Sequence, residues 1–71
     1  MNVKKILGKE VLDVKGNNVG KVSDMDIDML RGTIKSIIIK AGIAKKYKIQ
    51  VDDIVTIGDR VILRKRVDEL A

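Results

Sequence analysis

Valine and isoleucine recur in short bursts along the chain and alternate with charged residues at a spacing nearer two than 3.6, the mark of half-buried strands rather than of an amphipathic helix. With no proline present, the glycines at 8, 16, 20, 32, 42 and 58 are the main punctuation between these bursts. The pattern predicts strands at Glu10–Val14, Val19–Asp28, Thr33–Ala41, Lys48–Val51, Ile54–Ile57 and Arg60–Arg64, and a short helical turn in the tail from Lys65. The segment Lys15-Gly16-Asn17-Asn18 tolerates positive φ and predicts a hairpin turn between the first two strands. Gly16, Gly20, Asp28, Gly32, Gly58 and Asp59 are the expected turn residues. The fold class that follows is all-β: a small, six-stranded, barrel-like antiparallel sheet.

An antiparallel pairing that sets Asp28 opposite Thr33 aligns Ile27 with Ile34, Val22 with Ile39 and Asp26 with Lys35. In that register Ile37 and Ile39 point to one side of the third strand, Ile34 and Ile38 to the other. A strand that is apolar on both faces needs two coverings. The barrel interior is one; the other is a second copy of the chain or, as the plainer alternative, a loop or the C-terminal tail over Ile34 or Ile38. On the first reading, which is the one preferred, Ile34, Ile37, Ile38 and Ile39 are the expected core and self-interface residues of a homodimer.

Length sharpens this expectation. A chain of 71 residues fits one domain, taken as residues 1–71, and a domain of that size buries only about 60% of its unfolded surface. Small domains add disulfides, a structural metal or a subunit interface; with no Cys and no His, self-association is the remaining device. The segment Met1 to Glu10 lacks the apolar stretch of a signal peptide, and the longest aliphatic run, Ile37-Ile38-Ile39, is far short of the ~20 residues that span a bilayer. A cytoplasmic setting without a transmembrane segment is expected.

The chemistry available is narrow. Ser23 and Ser36 are the only serines, and with no His or Cys beside them no nucleophile–base pair can be assembled, so an enzyme is not expected. Asp24, Asp26 and Asp28 share one strand face and could gather a divalent cation, but a solvated face answering Lys35, with Asp28 capping the next turn, accounts for them more simply. Asp52 and Asp53 are assigned to a turn for the same reason. No metal or cofactor is assigned. Net charge is +5 from 15 basic and 10 acidic residues. The basic residues fall into three clusters: Lys4, Lys5 and Lys9; Lys45, Lys46 and Lys48; Arg60, Arg64, Lys65 and Arg66. Of these, Lys45, Lys46, Lys48, Arg60, Arg64 and Arg66 are the candidate contacts to an acidic partner. Tyr47 is the only aromatic residue, which argues against base-stacking recognition of RNA, and no glycine spacing matches a phosphate loop.

The run Ile6-Leu7-Gly8-Lys9-Glu10-Val11, then Gly16, then Val19-Gly20-Lys21-Val22-Ser23-Asp24 resembles the opening of PRC-barrel domains. Asp28 and Gly32 look like that family's hairpin between its second and third strands. Ile49, Ile54, Ile57-Gly58-Asp59 and Val61-Ile62-Leu63 look like its closing strands. The resemblance covers nearly the whole chain and is nearest to stand-alone archaeal members. It implies a binding module. Relatives include the cytoplasmic domain of a photosynthetic reaction-centre subunit and the C-terminal domain of a ribosome maturation factor, and short archaeal members have been associated with cell division. The expected function is a homodimeric protein-interaction adaptor, with an archaeal cell-division role as one setting; the alternative is a ribosome- or RNA-associated module that uses the basic clusters.

Overall fold

The computed structural model describes residues 3–70, with side chains from Lys5 onward, so Lys4 of the first basic cluster lies outside the described side chains. A single helical turn, α1 (Val3–Ile6), precedes six strands: β1 (Glu10–Leu12), β2 (Asn18–Asp28), β3 (Thr33–Ala41), β4 (Lys45–Gln50), β5 (Ile54–Ile57) and β6 (Val61–Leu63). Two 3₁₀ turns, Val51–Asp53 and Val67–Glu69, join β4 to β5 and close the chain. The domain is all-β, as the hydrophobic pattern predicts, and the helical turn expected in the tail is the second of these.

The strands form one sheet in the order β4-β3-β2-β1-β6-β5. Sequence-adjacent β4 and β5 therefore stand at opposite ends of that order, joined only by Val51–Asp53, and the sheet curls into a half-barrel. One pairing departs from the predicted antiparallel sheet. β1 and β6 run parallel, with Val11 opposite Val61 and Leu12 opposite Ile62. The chain travels outward through β2, β3 and β4 and re-enters from the other end through β5, so β6 arrives beside β1 in the same direction. The sheet is mixed.

The β2–β3 ladder has Val22 opposite Ile39, Ile27 opposite Ile34 and Asp28 opposite Thr33, the predicted register. Between these pairs the ladder shifts twice. Ser23 is the extra residue on β2 and Lys35 the extra residue on β3, and because the two bulges offset one another the strand ends stay in register. The pairing of Asp26 with Lys35 is overturned: Asp26 faces Ser36. The two-faced reading of β3 changes with it. The bulge at Lys35 brings Ile34 onto the core beside the buried Ile37 and Ile39, whereas Ile38 is half-buried away from that core, opposite Asp24 and Lys48.

Among the described residues the core consists of Ile6, Val11, Val19, Val22, Ile37, Ile39, Ile49, Val61 and Leu63. Ile6 enters it because α1 folds back over the sheet; Gly8 N–H donates to the Val22 carbonyl (2.8 Å), and Gly8 itself has φ +86°. Full burial of aliphatic side chains of this size contributes roughly 1.5–3 kcal/mol each. Gly20, an expected turn residue, lies inside β2 instead, opposite Val11, with φ +152°. A Cβ there would overlap the Lys40 carbonyl oxygen and stand 2.9 Å from its carbon.

Asp13 ties the two ends of the chain together. Its buried carboxylate accepts the backbone N–H groups of Lys15 (2.9 Å), Asn17 (2.8 Å) and Val67 (2.9 Å) and the Asn17 amide (3.2 Å). Burial raises the pKa of this carboxyl, and the four hydrogen bonds outweigh burial and hold it below the ordinary value. The β1–β2 turn and the C-terminal 3₁₀ turn thus share one anchor, to which Val14 N–H adds a bond to the Lys65 carbonyl (3.0 Å).

Candidate interaction surfaces

The β2–β3 hairpin builds the first surface. Asp28 Oδ1 accepts the N–H groups of Leu30 (3.0 Å) and Arg31 (3.2 Å), its carbonyl accepts Gly32 N–H (2.7 Å), and Gly32 takes φ +67°. Short side chains that bond the backbone ahead of them rigidify such turns. Held by that network, Met29 and Leu30 project into solvent, 87% and 99% exposed. At the base of the same hairpin, Ile27, Gly32, Thr33 and Ile34 line an open groove of about 530 Å³ with Ile6, Val51 and Ile57. Exposed tip and apolar groove are neighbours. Each carries a charge at its margin: Arg31 at the tip, and Asp52 beside Val51 on the 3₁₀ turn.

The second surface comes from strand register. Lys21 pairs with Lys40 across β2 and β3, and Lys40 pairs with Lys46 across β3 and β4. Directly opposed residues project from the same face, and adjacent strands are about 4.8 Å apart, so three exposed lysines form a row roughly 10 Å long. Like charges placed opposite one another destabilise a sheet. Glu10 extends the row beyond Lys21, but it is engaged by Arg60 (3.4 Å). Among the described residues none of Lys21, Lys40 and Lys46 has a carboxylate within salt-bridge distance.

The predicted basic contacts do not gather into one patch. Lys45, Lys46 and Lys48 lie along β4, where Lys48 reaches Asp26 (3.9 Å). Arg60 holds Glu10, Arg64 donates to the Asp52 carbonyl (3.3 Å), and Arg66 engages Asp68 (3.4 Å) and Glu69 (3.2 Å). The Arg66 N–H bond, the largest influence, acts with the Arg66 side chain and the charge of Lys65 to outweigh the opposing effect of burial and hold the Glu69 carboxyl below its ordinary pKa. The aspartates of β2 are similarly dispersed: Asp24 accepts Met25 N–H (2.8 Å), Asp26 meets Lys48, and Asp28 caps its turn. Gly16 (φ +86°) lies in the β1–β2 turn, and Gly58 and Asp59 lie in the β5–β6 turn, where Gly58 N–H donates to the Arg60 carbonyl (3.0 Å). Tyr47 is half-buried against the core.

Of the four isoleucines expected at a self-interface, Ile37 and Ile39 are fully buried within the chain, and Ile34 reaches the groove. Asp13, the Lys21–Lys40–Lys46 row and Ser36, whose buried hydroxyl has no partner, were not anticipated from the sequence. Asp13 carries a sequence signal, an aspartate just ahead of a Gly-Asn turn.

An all-β half-barrel agrees with the family comparison, in which the model for the PRC-barrel domain matches residues 1–70. The chain belongs to the PRC-barrel family. PRC-barrel domains are small, non-catalytic modules generally engaged in protein interaction. No curated protein matches the chain. Among its described residues this PRC-barrel has no helix long and apolar enough to cross a membrane, and no group of three or more acidic side chains that could hold a metal ion.

Proposed function

We propose that this PRC-barrel is a cytoplasmic, homodimeric adaptor with no catalytic role, in which the groove face joins two copies and the remaining surface docks another protein. The observation that carries this reading is the juxtaposition of a rigid, solvent-exposed Met29–Leu30 tip with an apolar groove. A two-fold axis between tip and groove lets each copy place its tip in the other's groove, the self-complementary arrangement that closed dimers require. A domain whose core is this small gains stability from such a contact. Adaptor work in archaeal cell division, the setting suggested by short family members, fits a compact dimer with two equivalent docking faces.

A second reading, a ribosome- or RNA-associated module, has the Lys21–Lys40–Lys46 row in its favour. Against it, the only aromatic ring is packed on the core and offers no stacking platform. Affinity capture from host lysate at low and high salt, with and without nuclease, separates the two. The adaptor reading predicts a few proteins retained at high salt and after nuclease. Capture confined to ribosomal proteins and RNA, and lost under either treatment, would overturn it.

A further inference from the structure

We propose that the free edge of β4 is the docking site for an extended, acidic segment of a protein partner, which adds to the sheet as a further strand with carboxylates opposite Lys46 and Lys48. This rests on the adaptor reading and names the chemistry of what the adaptor docks. β4 ends the sheet order, and its backbone is bonded only to β3 among the described residues. The opposite edge of an end strand is a row of N–H and C=O groups ready for another chain. A cleft of about 240 Å³ lies between the end of β4, at Lys48, Ile49 and Gln50, and the C-terminal turn; its two carboxylates, Asp53 and Glu69, are already engaged by Lys65 and Arg66.

Charge decides which strand fits. Lys46 and Lys48, on the same face of β4 and backed by Lys40 and Lys21, repel a second copy of β4, so this edge is closed to self-pairing and the dimer must use another face. The same lysines attract a strand with Asp or Glu at every second position, since alternate side chains of the added strand fall on the lysine-bearing face. Such a strand also relieves the repulsion along the row, which the isolated chain leaves unanswered. Nucleic acid meets the charge but not the backbone edge.

The test uses the intact protein and a fluorescein-labelled peptide of alternating glutamate and valine, read by anisotropy. Binding is expected to weaken tenfold or more, about 1.4 kcal/mol, in Lys40→Glu and Lys46→Glu. Lys40→Glu is also expected to leave the melting temperature unchanged or raised, because it breaks the run of like charges. N-methylation of the peptide amides that face β4 is expected to abolish binding. Binding that survives N-methylation, undiminished binding by Lys46→Glu, no binding at all, or tighter binding of polyuridylate than of the peptide would each overturn the proposal. Sedimentation of the same samples separates it from the dimer reading: a dimer indifferent to the peptide sinks the edge proposal alone, and a monomer that binds it sinks the dimer alone.

Discussion

Replacing Gly20 by alanine tests the strand packing at its tightest point. Gly20 has a positive φ of 152° inside β2, and the added methyl group would overlap the Lys40 carbonyl oxygen and approach the Ala41 Cα to 3.1 Å. These are backbone atoms of β3 and cannot rotate away. Relief requires β2 and β3 to separate where Lys21 pairs with Lys40, next to the Val22–Ile39 pair of the core. A residue forced into a sparsely populated backbone region costs about 1–3 kcal/mol, and overpacking a tight site costs about 1–3 kcal/mol more. The sum, about 2–6 kcal/mol, is a large share of the roughly 4–11 kcal/mol available to a chain of this length. Thermal unfolding followed by circular dichroism should show Tm lowered by at least about 10 °C. Gly58→Ala is the internal control: its φ is not positive, and a Cβ there meets nothing within 4 Å. Its stability should lie within about 0.5 kcal/mol of the parent. Equal stability of the two variants would refute the close-approach argument.

The core makes a similar contrast within one strand. Ile37→Ala, at a fully buried site, should cost about 2–5 kcal/mol in urea unfolding, whereas Ile38→Ala, at the half-buried neighbour outside the core, should cost well under half as much; equal losses would show that the bulge at Lys35 is misplaced. For Asp13 the folded-state pKa is depressed, so its contribution is complete above the unfolded value, near 3.8, and is lost as pH falls through the lower folded value. Asp13→Asn, which replaces an acceptor by a donor facing the N–H groups of Asn17 and Val67, should be less stable than the parent at pH 7. The gap should narrow only below the ordinary Asp value; a gap that stays constant down to pH 2 in acid titrations would refute the assignment.

Much of the sheet was legible because β-branched residues concentrate in β3 and β5. Thr33–Ala41 and Ile54–Ile57 have the predicted bounds, and three of the four predicted β2–β3 pairs occur. Strand β4 was read three residues short at its start because Lys45-Lys46-Tyr47 carries the charge of an edge strand rather than the alternation of a half-buried one. The parallel β1–β6 pair depends on the path of the whole chain and has no local signature. The compensating bulges were equally silent, since neither Ser23 nor Lys35 marks one. The lysine row was within reach: pairing Val22 with Ile39 already places Lys21 beside Lys40. Its meaning emerged only when β4 added Lys46 at the sheet edge. The groove was less accessible, because it joins Ile6, Ile27, Val51 and Ile57 from four separate parts of the chain.

Self-association through the tip and groove is tested most directly by sedimentation equilibrium on the parent and on Leu30→Asp. Leu30 is 99% exposed in the isolated chain, so the substitution leaves the fold and its Tm essentially unchanged while placing a carboxylate where the partner's groove is apolar. The account predicts a dimeric parent and a monomeric, fully folded variant. A monomeric parent at tens of micromolar protein, or a variant that remains as dimeric as the parent, would contradict it.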